Sequence, residues 1–123
     1  MENINESLAE LIKVDGAMGA ALVDYNSGMN LGKAGGGTVN LDLAAAGNSE
    51  VVKAKMRVMK GLDITGGIED ILITLDTQYH NIRPLGSKQG LFIYFVLDKA
   101  RANLGMALFR YRKSKISSQF SYQ

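Results

Sequence analysis

The stretch from Leu91 to Leu97, with the sequence LFIYFVL, decides the fold of this chain. Seven consecutive apolar residues are too few to cross a membrane, and aromatic and branched side chains fit a pleated sheet. A strand that is apolar at every position has no face suited to water, so we expect it at the centre of a sheet covered on both sides. Asp98 follows directly, and its carboxylate is expected to cap a helix that begins there and ends near Lys113.

The composition is that of one ordinary globular domain. The chain has 123 residues, of which 46% are apolar and 21% charged, and its net charge is +2. We expect a single domain over residues 1–115 and a mobile tail over residues 116–123. The absence of cysteine excludes disulfides, thiolate metal sites and cysteine nucleophiles. The acidic N-terminus and the lack of a membrane-length apolar run predict a cytoplasmic protein without membrane insertion, and the small net charge does not indicate a nucleic-acid partner.

The segments before the central strand supply the rest of the fold. Hydrophobic periodicity, turn residues and capping residues define them. In chain order they are a helix over residues 4–12, a hairpin over 17–33, a long helix from Leu41 to Lys60 capped by Asn40 and ended by Gly61, and strands over 68–75 and 79–85. The order is therefore α-β-β-α-β-β-β-α, which predicts an α+β fold with a five-stranded antiparallel sheet and helices on both faces.

The long helix is apolar over more of its circumference than one sheet face needs. One flank carries Ala44, Gly47, Val51, Ala54, Val58 and Leu62, and a second flank carries Leu41, Ala45, Val52, Met56 and Met59. Together the flanks span roughly 200°, whereas a helix that covers a sheet needs little more than about 100°. We therefore expect the helix to bury its excess apolar surface against another subunit. The alternative is a loosely patterned core helix.

No group of residues in the sequence predicts a catalytic, cofactor or metal site. The run Gly35–Gly37 is followed by no lysine, so it does not match a phosphate-binding loop. His80 is the single histidine and is expected to be a surface or hydrogen-bonded structural residue. Glu69 and Asp70 are adjacent on a predicted strand, so they point to opposite faces and cannot act as an acid–base pair. The chain is therefore not expected to be an enzyme.

Several basic residues could bind an acidic partner. Arg83 is expected to pair with a neighbouring acid, rather than to reach a partner's phosphate. Arg110, Arg112, Lys113 and Lys115 give the last helix a basic end, which the helix dipole favours without any partner. A contact with an acidic surface or an anionic lipid is the alternative for these four residues.

Three stretches of the sequence resemble the roadblock/dynein-light-chain family, in its bacterial form. They are VDGAMGAALVD at residues 14–24, followed by Gly28 and Met29, then YHNIRPL at 79–85 and VLDKARANLGMA at 96–107. The resemblance extends over residues 4–112, and the family has the order of elements predicted above.

The resemblance implies a non-enzymatic adaptor that forms a homodimer or a heterodimer through its second helix and third strand, so that one sheet continues across two subunits. It also implies binding to a Ras-like small GTPase, or a role as scaffold in a polarity or motility complex, as a homodimer or a higher assembly. The dimer positions implied by the resemblance are Leu41, Ala45, Val52, Met56, Met59, Ile71 and Ile73. No cofactor is implied. The alternative is a small-ligand sensor of similar sandwich fold, although no cluster of polar groups converges on a ligand in the sequence.

Overall fold

The structure, a computed structural model, describes residues 3–85, 90–114 and 116. Its helices are α1 (Ile4–Leu11), α2 (Leu41–Gly61) and α3 (Leu104–Arg112), and its strands are β1 (Ala17–Asp24), β2 (Met29–Gly35), β3 (Ile71–Thr74), β4 (Gln78–Leu85) and β5 (Leu91–Asp98). This is the predicted order α-β-β-α-β-β-β-α, and the predicted fold is confirmed.

The central strand divides the core into two layers. The sheet is antiparallel with the order β2-β1-β5-β4-β3, so β5 lies in the middle and pairs with β1 and β4. Every residue from Leu91 to Leu97 is buried, as predicted. The odd-numbered side chains of this run pack with α1 and α3 on one face, and the even-numbered ones pack with α2 on the other. Helices therefore cover both faces.

Helix α1 lies unusually close to β2. A Cβ atom added at Gly32 would lie 2.7 Å from Cγ2 of Ile4 and 3.0 Å from Oδ1 of Asn5. The same Asn5 oxygen accepts a hydrogen bond from the backbone N–H of Lys33, at 3.1 Å. Glycine at position 32 thus permits the approach, and the Asn5 side chain fixes the helix along the strand.

Helix α2 begins as predicted and ends later than predicted. Asn40 caps its N-terminus. Gly61 still belongs to the helix, so the predicted stop at this residue is wrong. The left-handed residue is Asp63, at φ +56°, and it lets the N–H of Ile64 bond the carbonyl of Met59 at 2.9 Å. This backward bond is the helix-ending pattern in which a left-handed residue satisfies a free carbonyl.

The predicted helix start at Asp98 is also wrong. The Asp98 carboxylate accepts from the N–H of Ala100 at 3.0 Å, which forms a turn rather than a helix. The cap of α3 is Asn103, whose Oδ1 accepts from the N–H of Met106 at 3.0 Å. A complete turn therefore separates the central strand from α3. Asp98 and Asn103 are both short polar residues that can bond free N–H groups, and the helix begins at the second of them.

Two further boundaries differ from the sequence prediction. Strand β3 was expected over residues 68–75 but pairs with β4 only from Ile71 to Thr74. Asp70 instead accepts a hydrogen bond from the buried Asn81 side chain, at 2.8 Å. At the C-terminus, Ile116 is fully buried in the core beside α1 and α3. The remainder of the expected tail, residues 117–123, lies outside the described part of the chain.

Candidate interaction surface

The seven positions implied as a dimer surface fall into two groups. Leu41, Ala45 and Val52 are buried in the core between α2 and the sheet, so their side chains are already used inside the subunit. The other four are half-buried: Met56, Ile71 and Ile73 pack at the margin of that core, and Met59 lines a cavity beside it. The flank of α2 named in the sequence prediction is therefore the flank that faces the sheet. Whether any of these positions joins two copies stays a prediction.

The other flank of α2 is the open one. Val58 is 50% exposed and Leu62 is 63% exposed, and Val51 and Gly47 are also exposed. A helix in contact with a single sheet normally turns polar residues to this side. The apolar excess noticed in the sequence is therefore present in the fold, on the flank of Gly47, Val51, Val58 and Leu62. The α2 positions implied by the resemblance belong to the other flank.

Strand β3 lies next to this open flank and forms one edge of the sheet. Within the described chain it pairs only with β4, so the backbone groups on its outer side are available. A cavity of about 430 Å³ separates the strand from α2, and it is lined by Val51, Lys55, Met59, Ile68, Asp70 and Ile71. An apolar helix flank, a shallow cavity and a free strand edge thus form one continuous surface. We call it the α2–β3 surface.

His80 lies in a hydrogen-bonded and packed environment beside Tyr94, on the face of the sheet that α2 covers. Its Nε2 lies 2.8 Å from Oε1 of Gln78, and its Nδ1 lies 3.1 Å from the hydroxyl of Tyr94. Since an amide oxygen only accepts, Nε2 carries the proton and Nδ1 accepts from Tyr94. Burial lowers the pKa of His80 and raises the pKa of Tyr94 to about 12. The structure accounts for His80 as the hydrogen-bonded structural residue that was predicted.

Arg83 differs from its prediction. Its guanidinium carbon lies 5.4 Å from the ring centroid of Tyr111, which is a cation–π distance. Among the described ion pairs none includes Arg83, so the expected acidic partner is replaced by an aromatic one. The contact joins β4 to α3 on the face of the sheet away from α2, and it gives Arg83 a packing role.

A groove of about 950 Å³ separates α1 from α3 on that same face. Glu6 and Glu10 line its α1 wall, and Arg110 and Lys113 line its α3 wall. Sites for small molecules are mostly apolar, enclosed and equipped with few polar groups. This groove is open and has charged walls, so it does not favour the ligand-sensor alternative.

Over residues 3–85, 90–114 and 116, no three or more histidine and acidic side chains are grouped so that they could hold a metal ion. In the same part of the chain, no helix is both long enough and apolar enough to span a bilayer.

Several solved structures have this fold, and three of them illustrate the similarity. Myxococcus xanthus MglB has a TM-score of 0.77 and 21% identity, over 89% of this chain and 86% of that chain. A Roadblock/LC7 domain from Streptomyces avermitilis has a TM-score of 0.73 and 13% identity, over 88% of both chains. A structure of MglB with a tetrameric arrangement has a TM-score of 0.75 and 18% identity, over 98% of this chain and 93% of that chain.

These similarities establish the fold that the sequence resemblance led us to expect. No protein-family model matches the chain, and no curated protein matches it.

Proposed function

We propose that this chain, which has the fold of Roadblock/LC7 domain structures, is a non-enzymatic homodimeric adaptor that binds a Ras-like small GTPase or serves as scaffold in a polarity or motility complex. The observation that supports this most directly is the α2–β3 surface, where an exposed apolar helix flank lies beside a free strand edge. A soluble domain rarely leaves such a surface uncovered. We infer that the protein works in the cytoplasm.

A second copy is the partner that suits this surface. In a twofold pair, the β3 edges hydrogen-bond each other and extend the sheet, while the two α2 helices pack side by side. Gly47 has nothing within 4 Å of its Cβ position, so a second helix can approach closely there. Val51, Val58 and Leu62 supply the apolar contacts.

The free energy gained by burying these apolar side chains is comparable with the cost of association. Burying a large aliphatic side chain fully contributes about 1.5–3 kcal/mol. Because these residues are already partly covered, three of them on each copy contribute on the order of 5–10 kcal/mol. Association costs an estimated 4–15 kcal/mol or more, so the strand pairing and the remaining contacts must also contribute to a stable dimer.

The similar structures support assembly, and the sequence resemblance supports the choice of partner. One of the similar MglB structures has a tetrameric arrangement, which agrees with a chain that associates with itself. The roadblock/dynein-light-chain resemblance of residues 4–112 implies a Ras-like GTPase as the further partner. With no catalytic constellation predicted from the sequence, we infer that the chain acts through binding.

Calorimetric titration tests the GTPase partner. The purified chain is titrated with Ras-like GTPases from the same organism, each loaded with GDP or with a non-hydrolysable GTP analogue. We expect saturable binding to at least one of them, and a hydrolysis assay with that GTPase distinguishes a stimulator of GTP hydrolysis from a passive platform. If none of these GTPases binds in either nucleotide state at micromolar concentrations, the proposed GTPase partner is wrong.

A further inference from the structure

The face of the molecule opposite α2 carries an acidic helix beside a basic helix. Glu6 and Glu10 project from α1, and Arg110 and Lys113 project from α3, all four into the groove between the helices. Among the described side chains no ion pair crosses this groove. Glu10 is bound instead by Lys13, which follows the end of α1 and also lines the groove, at 3.0 Å and in an exposed position.

The α3 side of this face is also apolar where it meets solvent. Met106 is 50% exposed and Phe109 is 49% exposed, next to the basic residues. Lys113 lies 5.7 Å from the Phe109 ring centroid, so it contacts its own helix, and none of the described ion pairs joins it to α1. The face therefore combines exposed apolar area with two charged walls of opposite sign, in the pattern of an unfilled protein interface.

We propose that this α1–α3 face binds the same face of a second copy, as a contact separate from the α2–β3 surface. A twofold axis that runs along the groove places α1 of each copy over α3 of the other. Acidic residues then meet basic residues twice, and Met106 and Phe109 are covered. An axis across the groove would place acid over acid, which like-charge repulsion disfavours.

The self-complementary charges favour a second copy over other occupants. An anionic membrane would be attracted by Arg110 and Lys113 but repelled by Glu6 and Glu10 on the same face. A second copy satisfies both walls at once. Because the α1–α3 face and the α2–β3 surface lie on opposite sides of the sheet, one chain can use both, and dimers formed through α2 would then associate further. The inference adds to the proposed homodimer and does not depend on GTPase binding.

Sedimentation velocity over a concentration series, at low and high salt, tests this contact. We expect wild-type protein at high concentration and low salt to reach twice the mass of the dimer, and to lose that species in 1 M salt, where the screening length is about 3 Å. Glu10→Arg and Arg110→Glu alone are each expected to abolish the larger species, because each creates two like-charge pairs across the twofold axis. The double variant restores both pairs and is expected to recover the assembly.

The same experiment separates this contact from the α2–β3 dimer. Val58→Glu is expected to abolish pairing through α2 and to leave pairs that form through the α1–α3 face. Adding Glu10→Arg to this variant should then dissociate those pairs as well. Far-UV melting curves like that of wild type check that each variant is folded. The proposal fails if the mass of the wild type never exceeds two chains and Glu10→Arg does not lower it, or if folded double-variant protein does not recover the larger species. It also fails if the protein remains dimeric and instead sediments with phosphatidylglycerol vesicles in a manner dependent on Arg110.

Discussion

Gly32 sets the distance between α1 and the sheet. A side chain at this position would start 2.7 Å from Ile4 and 3.4 Å from Leu8, inside the packed contact of the helix. We therefore expect Gly32→Ala to lower the free energy of unfolding by about 1–3 kcal/mol through overpacking. Gly61→Ala is the matched control, since nothing lies within 4 Å of its Cβ position. In the helix this change should be neutral or stabilising by up to about 1 kcal/mol.

Guanidinium denaturation of both variants measures this difference. Equal unfolding free energies for Gly32→Ala and Gly61→Ala would show that α1 is not held at the distance described.

His80 and Tyr94 make stability depend on pH at both ends of the range. Burial lowers the pKa of His80 below its ordinary 6.5, so the unfolded chain takes up a proton more readily than the folded one. This contribution to stability is complete above pH 6.5 and is lost as the pH falls through the folded-state pKa. The pKa of Tyr94 is raised from 10.0 to about 12, so its contribution is lost as the pH rises from 10.0 towards 12.

Replacing the histidine isolates its part of the pH dependence. Between pH 7 and pH 5, the melting temperature of wild type should fall more steeply than that of His80→Gln, because glutamine does not titrate. Thermal melts monitored by circular dichroism provide the comparison. Parallel curves for the two proteins would contradict the buried, neutral state of His80.

Helix α3 depends on Asn103 for its first turn. The side-chain bond from Asn103 to the N–H of Met106 satisfies a donor that the helix itself cannot satisfy. We expect Asn103→Ala to lower the free energy of unfolding by about 1 kcal/mol, and Asn103→Ser to retain most of that stability because serine also caps. Chemical denaturation of the two variants makes the measurement. An alanine variant as stable as the serine variant would mean that the cap contributes nothing.

The same junction shows what the sequence could and could not predict. The strand from Leu91 to Leu97 was recognisable because seven apolar residues in a row suit only a doubly covered strand. The start of α3 was not, because Asp98 and Asn103 are both good caps and the sequence does not determine which one satisfies a turn. The error displaced a helix boundary and left the order of the elements intact.

The sequence did not determine which flank of helix α2 faces the sheet. Periodicity identified two apolar flanks, and the structure contains both. A helical wheel does not distinguish a flank that packs on its own sheet from one that remains open. That choice depends on the direction in which α2 crosses the strands, which is a property of the folded chain. Val52 is consequently in the core and Val58 in solvent.

The whole molecule consists of a sheet with two differently used faces. One face packs on α2, whose outer flank forms the α2–β3 surface, and the other packs on α1 and α3, whose groove carries opposite charges. The α+β architecture followed from the order of elements in the sequence. The charged groove did not, because α1 and α3 lie about 100 residues apart in the chain and only the fold brings them side by side.

A charge placed on the open flank should separate two copies at the α2–β3 surface. Val58→Glu puts a carboxylate in the middle of the apolar contact, where it would be buried without a partner, and such burial costs several kcal/mol. Ala46→Glu introduces the same charge at an exposed position elsewhere on α2 and should leave pairing unchanged.

Light scattering of wild type and of these two variants over a dilution series therefore tests the central proposal most directly. For a chain of 13.3 kDa, we expect wild type and Ala46→Glu to keep at least the mass of two chains on dilution, and Val58→Glu to lose the α2 pair. A wild-type protein of 13.3 kDa at every concentration, or a Val58→Glu variant that assembles like wild type, would contradict pairing through this surface.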